Sequence, residues 1–330
     1  MQVPAGETAP DLAIGLVVIG RNEGERLRRC LASIDCAAHP VVYVDSGSTD
    51  GSVALAMGMG AEVVELDVTI PFTAARARNA GWHRLVEVAP EVAAVQFVDG
   101  DCELEQGWLS AAARFLAGNP AAAVVCGRRR ERFPEASPYN AMCDAEWNTP
   151  VGLASECGGD ALMRLSALVG VGGFDPAIVA GEEPELCTRL RAEGWGIWRI
   201  DAPMTIHDAA MVRFGQYWVR ATRSGFGYAQ TFAATRRRAH PLYGRELLRA
   251  LLWGGVVPGA ALVSAVAGNP VAVAVFAGGW LAQGLRLMRR HGARRGALLM
   301  LAKPAELLGA LDWLWRQASS SVRPRAFAYK

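Results

Sequence analysis

The sequence predicts an α/β fold with a mainly parallel sheet, followed by a helical segment of different character. Three observations carry this. Over the first hundred residues, short apolar runs alternate with polar turns and helix-spaced stretches. Charge divides unevenly along the chain. And 36 consecutive residues, Ala250 to Leu285, carry no charge at all.

Ile14 to Ile19 is an unbroken apolar run, the pattern of a strand buried on both faces. The turn Gly20-Arg-Asn-Glu-Gly24 follows, and Leu27, Leu31 and Ile34 recur at helical spacing. Val41 to Val44 reads as a second strand, closed by the turn Asp45-Ser-Gly-Ser-Thr-Asp-Gly51. Ser52 to Met59 is expected to be helical, Ala61 to Leu66 a third strand, and Ala74 to Val88 a helix. Ala93 to Val98 is a fourth strand, ending on Asp99-Gly-Asp101. In such sheets ligands gather at the carboxyl ends of the strands. Here those ends carry Asn22 and Glu23, Asp45, Asp99 and Asp101. Gly127 to Asp208 is less regular. It holds Gly158-Gly-Asp160, Gly172-Gly-Phe174 and Gly181-Glu-Glu-Pro184, then an expected helix from Pro184 to Glu193 and a strand around Ile197 to Ile200. Proline suits the first turn of a helix, where its missing N–H has no intrahelical role.

The whole chain of 330 residues has 34 basic and 32 acidic residues, a formal net charge of +2. Residues 1–210 hold 16 Arg and no Lys against 29 Asp and Glu, a net of −13. Residues 211–330 hold 18 basic residues against Glu246, Glu306 and Asp312, a net of +15. This asymmetry predicts two parts with different partners and argues against a nucleic-acid-binding surface. The seven cysteines, at 30, 36, 102, 126, 143, 157 and 187, form no C-x-x-C pair and are odd in number. Reduced thiols in a cytosolic domain are the simpler reading than a zinc or disulfide framework. Met1 to Asp11 lacks the basic region of a secretory signal.

The boundaries predicted from composition are 13–210 for the α/β domain, 211–249 for basic aromatic linker helices, 250–287 for an apolar helical hairpin and 288–330 for a basic amphipathic tail. Gly268-Asn269-Pro270 breaks the uncharged stretch into pieces of 18 and 16 residues. As helices these span about 27 and 24 Å, slightly short of a hydrocarbon core of about 30 Å. Arginines flank both ends, so a hairpin with both ends on the cytoplasmic side fits the positive-inside rule. Pro304 to Arg316 puts Leu307, Leu308, Leu311, Leu314 and Trp315 on one helical face, compatible with lying in a membrane interface. The bland alternative is a helical pair buried within a soluble protein.

Three constellations carry chemistry. Asp99 and Asp101, one residue apart at a strand end, suit a divalent cation such as Mg²⁺ or Mn²⁺ and its phosphate ligands. The bland reading is a loop with two solvated acids. The turn from Asp45 to Gly51 brings backbone close to a ligand, with Asp45 as an acceptor for a base or ribose. Its bland reading is a turn in which Ser48, Thr49 or Asp50 caps the next helix. Glu182 and Glu183 stand just before a helix start, where the dipole stabilises acids. One of them as a general base is the functional reading, since a carboxylate at neutral pH is ionised beforehand.

The order of Ile19-Gly-Arg-Asn-Glu23, Val44-Asp-Ser-Gly-Ser-Thr-Asp-Gly51, Ala77-Arg-Asn-Ala-Gly81, Val98-Asp-Gly-Asp101, Gly158-Gly-Asp160, Val171-Gly-Gly-Phe-Asp175 and Gly181-Glu-Glu-Pro-Glu-Leu186 resembles family 2 glycosyltransferases of GT-A fold, of the bacterial cell-surface polysaccharide type. The resemblance covers about residues 13–210. It implies a nucleotide-sugar donor, a divalent metal (Mg²⁺ or Mn²⁺) and inversion at the anomeric carbon. On it, Asn22, Glu23, Asp45, Ser46, Arg78 and Asp99 line the donor site, and Asp101 holds the metal. His207 stands either as a late metal ligand or as a packed histidine. Trp147, Gly159 and Asp160 fall on the acceptor side; Trp195 and Trp198 are further stacking candidates or simple core. The family's acidic pair is Glu-Asp, and Glu183 stands in the place of the Asp, so Glu182 and Glu183 both remain candidate bases. Ser46 replaces a common second acid of the donor turn. The implied partners are a nucleotide-sugar donor, a lipid-linked or glycan acceptor and membrane lipid, at the cytoplasmic face of the inner membrane.

Rival classes fare worse. A nucleotidylyltransferase is expected to carry a Lys-bearing phosphate loop, and residues 1–210 have no Lys. A dinucleotide-binding dehydrogenase needs G-x-G-x-x-G after the first strand, which residues 20–24 do not supply. A membrane-anchored sugar- or lipid-binding protein without turnover remains the alternative of a different class.

Overall fold

The computed structural model describes residues 12–239 and 241–319. The N-terminal stretch read for a signal and the last residues of the basic tail lie outside them. The chain forms two compact units. One comprises Met1–Arg132 and Cys143–Ala209, the other Phe133–Met142 and Ala210–Lys330.

The first unit is built on β1 (Ile14–Gly20), α1 (Glu25–Ala32), β2 (Val41–Asp45), α2 (Ser52–Gly58), β3 (Glu62–Glu65), α3 (Ala74–Val88) and β4 (Ala94–Asp99). These strands pair in parallel in the order β3-β2-β1-β4, with Ile19 beside both Val44 and Asp99. The register brings the carboxyl ends of β1, β2 and β4 to one edge. β1, β2 and β4 are largely apolar because helices cover both faces: Leu16, Val17, Val18, Val42 and Val95 are fully buried, whereas β3 at the edge keeps Glu62 and Glu65 exposed.

The remaining strands make the sheet mixed. β5 (Cys102–Leu104), α4 (Trp108–Gly118), β6 (Ala122–Glu131), α5 (Pro138–Glu146), β7 (Gly152–Ala154), β8 (Ala161–Arg164), α6 (Leu165–Gly170), α7 (Glu182–Ala192) and β9 (Gly196–His207) follow. β8 inserts antiparallel between β4 and β6; β9 lies parallel to β6 and antiparallel to β5 and β7. Two expectations shift here. α7 begins at Glu182 rather than Pro184, so both acids stand inside its first turn. Gly181, at φ 89°, turns the chain into the helix in the left-handed region that a side chain disfavours. And β9 runs twelve residues, well beyond Ile200, so that His207 ends a strand.

The second unit is helical: α8 (Phe214–Thr235), α9 (Gly244–Leu251), a π-helical turn (Leu252–Val256), α10 (Val257–Val266), α11 (Pro270–His291) and α12 (Ala293–Ala318). Pro258 has no N–H to return to the preceding turn, and the helix widens just before it. α8 and α12 touch backbone to backbone. A Cβ on Gly225 would stand 1.8 Å from the Glu306 carbonyl oxygen, and one on Gly309 equally close to that of Thr222. Tyr217 Oη donates to the Leu298 carbonyl at 2.8 Å in the same pair.

The apolar helices are longer than the uncharged stretch suggested. Gly244–Val266 and Pro270–His291, of 23 and 22 residues, are long and apolar enough to cross a membrane by length and composition. At 1.5 Å per residue they reach about 34 and 33 Å. The sequence estimate stopped at the first arginine, but a helix continues through its charged ends. Ala250 and Gly284 are the buried residues of these two segments. Pro304 does not start a helix; it lies inside α12. Leu308, Leu311, Leu314 and Trp315 are exposed along that helix, while Leu307 is half-buried.

Candidate active site

Arg78 is the centre of the site. Thr73 caps α3 by accepting from the Arg76 amide at 3.1 Å, and Arg78 follows in the next turn, pointing inward. Its Nη1 reaches Glu182 Oε1 at 2.7 Å and Glu183 Oε1 at 2.9 Å; its Nη2 reaches Asp99 Oδ1 at 2.9 Å. One buried guanidinium thus gathers three carboxylates from α7 and the end of β4. Its neighbour Asn79 has a different task. It donates to the Phe174 carbonyl at 2.7 Å and accepts from the Phe174 amide at 2.9 Å, fixing the Gly172-Gly-Phe174 turn.

Arg129, on β6, supplies a second clamp. Its Nη2 lies 3.1 Å from Asp99 Oδ2, and its Nε donates to Asp160 Oδ2 at 2.9 Å. Asp160 is itself buried, accepts from Thr205 Oγ1 at 2.7 Å and from the Asp99 amide at 3.0 Å. Its carboxylate is therefore engaged in holding the strand ends together. Gly159 is needed by the same crowding: a Cβ there would stand 2.7 Å from Arg78 Nη2 and Asp99 Oδ2.

These surroundings set the carboxyl groups apart. Burial would raise Asp99, but Arg78, Arg129 and His207 outweigh it and hold the carboxyl down at about 2. Glu183 goes the other way. Burial and the charge of Glu182 push it up to about 7, although Arg78 opposes them. A carboxyl that titrates near neutrality is suited to take and return a proton.

The turn after β2 is tightly self-bonded. Asp45 is buried; its carboxylate accepts from Tyr43 Oη at 3.0 Å and from the amides of Gly47 and Ser48 at 2.8 and 2.7 Å. Ser46 beside it is buried as well. Asn22, at φ 54°, accepts from the Thr49 amide at 2.7 Å, and its own amide donates to Ser48 Oγ at 2.9 Å. Asn22 thereby joins the turns after β1 and β2. Glu23 pairs with Arg26 at 2.8 Å. Asp50 accepts from the amide and hydroxyl of Ser52, but the N-cap of α2 is Gly51, with no side-chain cap, so none of Ser48, Thr49 and Asp50 takes the expected capping position.

A third group lies where β5 meets the end of β9. His207 Nε2 is 3.4 Å from Asp101 Oδ1, and its Nδ1 is 3.6 Å from Glu131 Oε2. Nδ1 is buried and makes no hydrogen bond. Asp101, Cys102 and His207 place their ligand atoms within 4.8 Å of one another. Burial pushes the Cys102 thiol well up, which disfavours its thiolate. Carboxylate and imidazole remain, a donor pair that fits Mn²⁺ or Mg²⁺ better than a thiolate-seeking metal. The edge of Trp147 packs on His207 at 4.8 Å between ring centroids, and Arg129 lies over its face at 5.3 Å. Trp198 stands apart, tilted against Phe115 of α4 at 5.6 Å. Trp195 lines a separate surface groove with Arg191 and Leu153.

Of the residues that the sequence singled out, Arg78, Asp99, Asp160, Glu182 and Glu183 share one ion-pair network with Gly159 against it. Asp101, His207 and Trp147 adjoin it through Arg129. Arg129 and Glu131 were missed. The run Arg128-Arg-Arg130 at the end of an apolar stretch was the available signal.

Residues 16–151 match the profile of glycosyl transferase family 2. The chain is 22% identical to glycosyltransferase AglE of Haloferax volcanii over 236 residues, covering 68% of this chain and 75% of that one. It is 26% identical to the succinoglycan biosynthesis protein ExoA of Rhizobium meliloti over 279 residues, covering 79% and 81%. In fold it resembles the mannosyltransferase PcManGT from Pyrobaculum calidifontis, solved with GDP-Man and Mn²⁺. The TM-score is 0.62 at 21% identity, over 92% of this chain and 88% of that one.

Proposed function

The chain carries a family 2 glycosyltransferase domain, and on that premise we propose that it transfers a sugar from a nucleoside-diphosphate donor to a hydroxyl of a lipid-linked or glycan acceptor, with inversion and with a divalent metal. The observation that carries this reading is the convergence of Glu183, Glu182 and Asp99 on Arg78 at the carboxyl ends of the strands. Glu183 is the general base. Its carboxylate takes the proton from the acceptor hydroxyl as that oxygen attacks the far face of the sugar, and one displacement inverts the anomeric carbon. Arg78 fixes the two glutamates. The joined turns at Asn22 and Asp45 form the floor for the nucleoside, and Asp99 stays ionised beside it.

Asp101 and His207 are the residues that would hold the metal. A divalent ion there supplies a Lewis acid that offsets charge growing on the leaving nucleoside diphosphate. GDP-mannose, the ligand of PcManGT, is the first donor to try. The exposed apolar helices support a membrane location for the enzyme, with the arginines at their ends on the cytoplasmic side.

A screen of nucleotide sugars with membrane fractions as acceptor tests this. Nucleoside diphosphate should be released, the release should stop on chelation, and Mn²⁺ or Mg²⁺ should restore it. Donor binding without turnover for any sugar would replace the enzyme by a membrane-anchored sugar-binding protein.

A further inference from the structure

Among the described residues of the α/β unit, three arginines have a single carboxylate between them. β6 presents Arg128, Arg129 and Arg130 in a row, and Arg129 is held by Asp99 and Asp160. Arg128 and Arg130 both turn to one carboxylate, Asp144 of α5, at 3.3 and 2.9 Å. On β9, Arg199 is only 4% exposed, and its one hydrogen bond goes from Nη1 to Thr149 Oγ1 at 2.9 Å. Among the described residues no carboxylate lies within ion-pair distance of it. Arg199 Nε and Arg128 Nη1 are buried donors without an acceptor.

β6 and β9 pair with Cys126 beside Arg199, two residues from Arg128, and Arg130 and Arg199 both act on Arg128. Burial disfavours the charge on Arg128, Asp144 favours it, and the like charges of Arg130 and Arg199 disfavour it further. Three cations against one carboxylate leave a local charge of +2. A buried cation with no partner is costly, and the usual remedy is a counter-charge with good hydrogen-bond geometry. The guanidinium fork matches phosphate oxygens, and a phosphate monoester carries about −1.5 to −2 at neutral pH. Arg130, with 53% of its side chain exposed, marks the open side of the cluster.

We propose that Arg128, Arg130 and Arg199 form a phosphate-binding site that a phosphate monoester completes. β6 also carries Arg129, which grips Asp99 and Asp160, and neighbouring residues of a strand face opposite sides of the sheet, so an acceptor phosphate held by Arg128 and Arg130 would lie across β6 from that clamp. That placement rests on the acceptor reading above; the phosphate site itself does not.

Thermal unfolding of the full chain in dodecyl maltoside tests the site without any turnover. Inorganic phosphate should raise the midpoint above that in chloride of equal ionic strength. Arg199→Met should weaken the apparent phosphate affinity roughly tenfold or more, and in chloride should melt no lower than wild type, because an uncompensated charge has been removed. Arg128→Met repeats the measurement from the other strand should Arg199→Met fail to fold. Dodecyl phosphate in the same micelles separates the sources: saturation at lower concentration than inorganic phosphate identifies a lipid-borne phosphate, and the reverse a free one. The proposal is overturned if neither phosphate shifts the midpoint beyond chloride, or if both variants keep the full shift. With the site overturned, donor turnover is untouched as a question; with turnover absent and the shift present, the site stands.

Discussion

The two units of this chain handle charge and hydrocarbon in opposite ways. The α/β unit buries the central strands of its sheet and draws charges inward, most densely where Arg78 and Arg129 between them hold Asp99, Asp160, Glu182 and Glu183. The helical unit leaves leucine and valine exposed along α10 and α11, and α11 gathers its basic residues in its last turn. A buried ion network needs partners for every member, since removing one strands the others. An exposed apolar helix needs a surrounding that is not water. The contrast supports the proposal that the units are built for different solvents, and each half of it can be broken separately.

The largest expected effect comes from charging the apolar helices. Val263→Asp with Val275→Asp places two acids on exposed positions of α10 and α11, at about 2.5–3.5 kcal/mol each if these helices insert. The double variant should leave the membrane pellet for the soluble or aggregated fraction. Unchanged sedimentation would mean that protein, not lipid, covers these faces.

Next is the base. Glu183→Gln should cut turnover roughly a hundredfold or more with donor binding kept, as titrated by nucleotide-sugar affinity. Normal turnover would move the base to Glu182.

A smaller effect is read from pH. Glu183 titrates at about 7 and must be ionised to act. The rate should therefore fall tenfold per unit below that point and level off above it. Glu182→Gln removes a charge that raises Glu183, so the limb should move to lower pH; an unmoved limb would assign it elsewhere. The sign for stability is opposite. A carboxyl raised from 4.5 to about 7 by folding favours the fold below 4.5, and that contribution is lost as pH climbs through 7.

The smallest effect is local. Asn269 caps α11 by accepting from the Ala272 amide at 3.0 Å. Asn269→Ala should cost about 1 kcal/mol in thermal or denaturant unfolding, and nothing in donor affinity.

The parallel half of the sheet was legible because its signals are local. β1, β2 and β4 are apolar runs stopped by polar turns, and period and punctuation are visible in a dozen residues. The second half was not. β6 ends in Arg128-Arg-Arg130, and β9 alternates Trp198, Arg199 and Asp201. Arg128 and Arg130 turn to Asp144 of α5 and Arg199 to Thr149, and a window along the chain does not see such partners. The same reason hid Arg129, whose partners lie 30 and 31 positions away. The lengths of α9 to α11 were underestimated because charge was taken as the end of a helix, and charge marks only the end of its apolar part.

The sequence by itself determined the α/β class, the carboxyl-end cluster of acids and the change of character after Ala210. Those depend on residue types at short spacing. Only the tertiary structure decided what those residues face. It turned Arg78 from one member of a motif into the hub of three carboxylates, set Asp99 at about 2 and Glu183 at about 7, and left Arg199 buried beside Thr149 with no carboxylate. Protonation and pairing follow from distance and burial, and these are fixed by contacts between residues far apart in the chain.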